Sequence, residues 1–265
     1  MYRCRPRCCP LYREMLRMLF ALACLGSVLG LQASAVDHIN IIVPDAHKAA
    51  LFFSKKGFTL KKPHDYSSGV QKGLSSQSIH FSSHQYIQLM SLSSKESKLG
   101  ALALWYQGFL KDNNKAQGLG LVLKNSNLKE LNKKLLKKGI PNKFKDLPNY
   151  KWLSFKTGSD LQHVSFIDPK KYIQRSEALT NHQNKARAIK TIFLKLKGDA
   201  RQWATIFQQA DALSLGLEFS SMTYTSSGII QKVILESTAS PCPESFEYDQ
   251  IAFSYSCQED RVKAK

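Results

Sequence analysis

Three familiar catalytic signatures are missing from these 265 residues: there is no G-x-S-x-G elbow, no glycine-rich phosphate loop and no H-E-x-x-H motif. Their absence removes the common hydrolase and nucleotide-using readings. Nothing in the chain matches the ~20 consecutive apolar residues that a membrane-crossing helix requires; the leading apolar stretch, Met18 to Leu31, has 14. Acidic residues are scarce, 20 Asp plus Glu against 38 Lys plus Arg, and the net charge of +18 raises the question of a polyanionic partner. With 43% hydrophobic and 22% charged residues the chain can build a core of one or two domains, which excludes collagen-like, coiled-coil and polytopic membrane classes.

Residues 1–35 carry the three parts of a secretory leader: basic residues Arg13 and Arg17, the short apolar middle, and Gln32-Ala33-Ser34-Ala35 as cleavage signature. Cleavage after Ala35 is expected, with an uncleaved anchor as the alternative, and the mature chain is then exported, periplasmic or secreted. Met15 gives the more typical start for such a leader. Cys24 lacks the leucine usually found three residues ahead of a lipidated cysteine. Processing removes five Arg and one Glu and leaves 230 residues with 33 basic and 19 acidic groups, so the basic character survives. Of six cysteines only Cys242 and Cys257 remain. In an exported chain such a pair reads as a disulfide, because neither has a flanking His or basic residue to activate a thiol.

A unit repeats along the mature chain. VDHINIIV (36–43) is strand-like, Pro44-Asp45 forms a turn and cap, and AHKAALFFSKK closes at Gly57. LGLVLK (119–124), the cap Asn127 and the amphipathic NLKELNKKLLKKG closing at Gly139 follow the same order, and both the caps and the glycines are 82 residues apart. Strand candidates follow each helix: GFTLKK, SSQSIHF and YIQLMSL in the first unit, WLSFKT and HVSFIDP in the second. A third copy reads as AIKTIFLKL, the cap Asp199, a helix with Trp203, Ile206, Phe207 and Ala210 on one face, then MTYTS and GIIQKVILES. KLGALALWYQGFLKDNN is an expected helical insertion between the first two units.

VDHINIIVPDAHKAALFFSKKGF followed by SIHFSSHQYIQLMSL resembles the opening βαβββ module of the vicinal oxygen chelate superfamily, in particular its glyoxalase-like domains. GLGLVLKNSNLKELNKKLLKKGI is similar to the first strand and helix of a second module. The resemblance implies an α+β fold of repeated βαβββ modules that pair into a half-open barrel, the glyoxalase/bleomycin resistance/dioxygenase fold, with a site in the concavity. The implied organisation is a signal peptide at 1–35, a glyoxalase-like domain at 36–170, a linker at 171–187 and a third, degenerate βαβββ-like module at 188–265. Within the glyoxalase-like domain, modules 36–98 and 116–170 flank the helical insertion 99–115.

In that superfamily an ion, where present, is held by residues on the first and last strands of each module. Carried over by position, the resemblance puts His38 and Gln88 at these places in module one, with a neutral amide where glutamate is usual. In module two the same places fall on Gly120 and Ser165, neither of them a credible ligand. His163 shares a face with Ser165 but lies two residues away. The implied pocket is therefore lined by His38, Gln88, Ser165 and His163, with either no cofactor or a single divalent ion (Zn, Mn, Ni or Fe) on His38 and Gln88. His64, His80 and His84 are expected at the surface, and Asp37 is expected to face away from His38.

Two functions follow from the resemblance. One is an exported glyoxalase-like protein that binds a small polar organic ligand without catalysis, which the degenerate second half-site favours. The other is a metal-dependent lyase, isomerase or dioxygenase, with its catalytic residues unassigned. The lysine doublets at 55–56, 61–62, 133–134, 137–138 and 170–171 are dispersed rather than interleaved with aromatics on one platform, so no nucleic-acid partner is expected. No membrane association is expected after leader cleavage. A homodimer stays open, because modules pair within one chain or across two.

Overall fold

The computed structural model describes residues 35–93, 98–112, 114–156, 163–170, 176–195, 199–210, 217–220 and 229–257. The leader ahead of Ala35 and the expected strand MTYTS lie outside the described residues. Among the described residues no helix is long and apolar enough to cross a membrane.

Strand β1 (Ala35–Ile42) turns at Pro44 into helix α1 (Ala46–Lys55). The Asp45 carboxylate starts that helix by accepting hydrogen bonds from the His47 and Lys48 backbone N–H groups at 2.9 and 3.0 Å, donors with no partner inside the helix. Gly57, at φ +82°, stops it, and the Phe58 N–H then reaches back to the Phe53 carbonyl. Next come β2 (His64–Asp65), β3 (Leu74–His80) and β4 (Tyr86–Leu92). The expected strand GFTLKK does not form; Lys61 touches the sheet through one N–H to the Ser78 carbonyl, and two-residue β2 takes the edge. β4 lies parallel to β1, with β3 and β2 antiparallel beyond it.

Helix α2 (Ala101–Asp112) forms in the insertion. Module two then repeats the pattern with β5 (Gln117–Lys124), α3 (Leu128–Lys137), β6 (Lys143–Asp146), β7 (Tyr150–Ser154) and β8 (Val164–Pro169). β8 runs parallel to β5, β7 and β6 follow antiparallel, and β1 pairs antiparallel with β5 to join the modules within one chain.

The remaining elements are α4 (Glu177–Thr180), β9 (Ala186–Lys195), α5 (Ala200–Gln209), β10 (Leu217–Ser220), β11 (Ile230–Ser237), β12 (Phe246–Tyr248) and β13 (Ile251–Cys257). β9 and β11 pair antiparallel, each with a parallel neighbour, β10 and β13 respectively. The β1/β5 seam with its parallel flanks thus recurs in the C-terminal segment, which holds two parallel strand pairs rather than one. Cys257 at the end of β13 is disulfide-bonded to Cys242, with Cα atoms 5.8 Å apart.

All thirteen strands join in one curled, unclosed sheet. Its helix-covered side is a continuous apolar core, into which α1 inserts Phe53, α3 inserts Leu131 and Leu135, and α5 inserts Trp203 and Phe207. A smaller core lies on the opposite side, where Tyr106 and Ala103 of α2 pack on Ile42, Leu74, Met90 and Leu119. The candidate site lies on this second side, where Tyr106 and Leu119 also line the cavity.

Candidate functional site

Strand alternation decides which residues face the concavity. Ile39 and Ile41 of β1 enter the large core, which leaves His38, Asn40 and Ile42 on the concave face. The registers continue this face across the sheet. His80, Tyr86, His38, Val122, Ser165 and Ser154 lie opposite one another in one row over β3, β4, β1, β5, β8 and β7. The next row brings Ser78, Gln88, Asn40 and Gly120 together. His38 and Gln88 therefore share a face, one step apart along neighbouring strands.

His38 is buried and stacks on Tyr86, with ring centroids 4.3 Å apart. Its Nδ1–H donates to Asp37 Oδ1 at 2.6 Å. This contact corrects the expectation that Asp37 faces away. The β1/β5 register shifts between Val36 and His38, and a bulge there breaks the strict alternation that would separate neighbouring side chains. Desolvation, with the Asp37 carboxylate adding to it, pushes the Tyr86 hydroxyl well above the ordinary phenol range. Gln88 donates its side-chain N–H to the Tyr66 hydroxyl at 3.1 Å, and Ser76 donates to the same oxygen.

His80 also departs from expectation: it is buried, its ring 5.3 Å from that of Tyr86, and neither ring nitrogen has a hydrogen-bond partner among the described residues. His64 and His84 are exposed. His182, from the segment before β9, packs against Phe58 and Phe81 on the other, helix-covered side of β3. Its Nδ1 accepts from the Thr59 N–H at 3.0 Å and its Nε2–H donates to the His80 carbonyl at 2.9 Å, which fixes the neutral tautomer. Burial lowers its pKa to about 4.

Beyond Asn40 the concave face opens into a cavity of about 410 Å³. Trp105 of α2 and Trp152 of β7 wall it, while Asn40, His163 and Ser165 supply polar groups. His163 is oriented by an Nδ1–H hydrogen bond to the Leu119 carbonyl at 2.8 Å. The Asn40 Oδ1 is buried there without a hydrogen-bond partner among the described residues. Gly120 lets Asn40 lie close across the seam, since a Cβ at that position would stand 2.8 Å from Asn40 Nδ2 and push that side chain aside. Of the four residues predicted for the pocket, Ser165 and His163 line this cavity, while His38 and Gln88 occupy the adjoining strip of the same face.

The donor set does not fit a catalytic ion held by three protein ligands. Tyr86 stands between His38 and His80 in the strand register, its ring centroid 4.3 Å from the first and 5.3 Å from the second. Among the described residues no three His, Cys, Asp or Glu side chains converge as ion donors. Sequence reasoning missed Asn40, Trp105 and Trp152. The first was readable, because it is two residues beyond His38 in a period-2 pattern; the tryptophans enter through tertiary packing of α2 and through strand register.

No protein-family model and no curated protein sequence matches this chain. Similarity is found among solved structures. A hypothetical protein from Staphylococcus aureus superposes with a TM-score of 0.58 at 11% identity, covering 84% of this chain and 99% of its own. A triple mutant of 4-hydroxymandelate synthase from Streptomyces coelicolor gives 0.53 at 10% identity, covering 78% and 72%. The chain shares their fold, the glyoxalase/dioxygenase fold, with paired βαβββ modules in a large curled, unclosed sheet.

Proposed function

We propose that this chain is a binding protein whose first two modules hold a small organic molecule between Trp105 and Trp152. The observation that carries the reading is the cavity itself: aromatic walls and a few convergent polar groups, from Asn40, His163 and Ser165. A volume of about 410 Å³ matches a molecule of one to three rings. Export of the mature chain, periplasmic or secreted, belongs to the same reading, supported by the leader-like residues 1–35 and by the Cys242–Cys257 disulfide, which suits an oxidising compartment.

The second reading, a metal-dependent lyase, isomerase or dioxygenase, draws support from the fold shared with 4-hydroxymandelate synthase. In it His38 and Gln88 would be the protein donors to a divalent ion.

The neutral fluorophore N-phenyl-1-naphthylamine tests the first reading. Saturable binding that is lost in Ala101→Trp, which fills the cavity mouth from an exposed position, supports it. No binding, or binding indifferent to that substitution, contradicts it. Stoichiometric metal in protein purified without chelators, lost in His38→Ala, would favour the enzyme.

A further inference from the structure

We infer that the ligand is an organic anion: a flat apolar body in the tryptophan-walled cavity and a carboxylate, sulfonate or phosphate group held by Lys143 and Lys145. This rests on the cavity reading above and deepens it. Ser154 and Phe155 line both that cavity and a second hollow of about 500 Å³, so the two adjoin. The second hollow is lined by Lys143, Lys145 and Lys156. Strand register explains why: Lys143 lies opposite Ser154 and Lys145 opposite Trp152, so both ammonium stems stand on the concave face beside the cavity wall.

The same alternation segregates charge. β5 to β8 contain two acidic residues, Asp146 and Asp168. Both fall on the helix-covered side, where Asp146 pairs with Lys170 and Asp168 with Lys151, each at 2.7 Å. The concave face of module two, among the described residues, therefore carries lysines and no carboxylate. Module one presents a neutral concave face of Ser78, Gln88 and Asn40, with Asp37 held by His38. A ligand with a charged end has one favourable orientation in such a barrel, anion towards module two. A cation or a neutral molecule gains nothing from the lysines.

The test is a matched pair of probes that differ by one sulfonate, 8-anilinonaphthalene-1-sulfonate and N-phenyl-1-naphthylamine. At low salt the sulfonated probe is expected to bind about tenfold tighter. The preference should vanish in Lys143→Ala/Lys145→Ala and at ~1 M salt, where the screening length is about 3 Å, while the neutral probe keeps its affinity. Lys133→Ala/Lys137→Ala, on the exposed face of α3, should leave the preference intact. Equal affinity for the two probes, a preference that survives removal of Lys143 and Lys145, or sulfonate binding that persists in Ala101→Trp overturns the inference. Binding of the neutral probe without any sulfonate preference sinks this inference alone; failure of both probes to bind sinks the cavity reading with it.

Discussion

Modules one and two share strand order, helix placement and core, yet their concave faces differ. Module one fills its face: Tyr86 stacks on His38, His80 is buried beside it, and α2 packs down over Ile42 and Met90. Module two leaves its face open, with Gly120, Val122 and Ser165 where bulk would otherwise stand, and lysines at the rim. A repeated fold fixes the helix-covered side twice over and leaves the concave side free to diverge, so one module supplies a floor and the other supplies room.

The comparison can be broken first on the side where the modules agree. Phe53→Ala in module one and Phe166→Ala in module two each empty a fully buried ring from the shared core and should each cost about 3–5 kcal/mol in urea unfolding. A small loss at either would mean that the two cores are not equivalent. On the concave side the modules should part. Asp37→Ala removes the acceptor of the buried His38 N–H and should cost about 1–3 kcal/mol, with Asp37→Asn recovering part of it. Ser154→Ala in module two should stay within about 0.5 kcal/mol.

How much of this was legible in the sequence depends on how local each feature is. Caps and stops at Asp45/Asn127 and Gly57/Gly139 announced two equivalent helices, and the fold followed from them. The Asp37–His38 contact was not legible, because a bulge belongs to the pairing of β1 with β5 and not to either strand alone. The burial of His80 beside Tyr86 depends on the pairing of β3 with β4, which the sequence of β3 alone does not show. Trp105 lines the cavity only through the docking of α2, and one parallel flank of the second seam is four-residue β10, too short to leave a periodic signal. Position on the face was readable at 38, 88 and 165; company on the face was not.

Acid should sharpen the contrast further, since His182 ties its segment to module one alone. Its pKa is lowered to about 4 by burial, so the unfolded chain takes up a proton first. Stability is full above about pH 6.5 and is lost as pH falls from there towards 4. His182→Gln should flatten that part of the pH profile in thermal unfolding, and an unchanged slope would place the acid sensitivity elsewhere. The smallest contrast lies at the helix starts. Asp45 caps α1 through two hydrogen bonds, whereas the Asn127 side chain makes none at α3, so Asp45→Ala should cost about 1 kcal/mol and Asn127→Ala much less.

A crystal structure of the protein soaked with 8-anilinonaphthalene-1-sulfonate tests the polarised cavity most directly. The account places the naphthyl ring between Trp105 and Trp152 and the sulfonate within hydrogen-bond reach of Lys143 or Lys145. A ring bound outside that space, or a sulfonate turned towards Gln88 and His38, would contradict it.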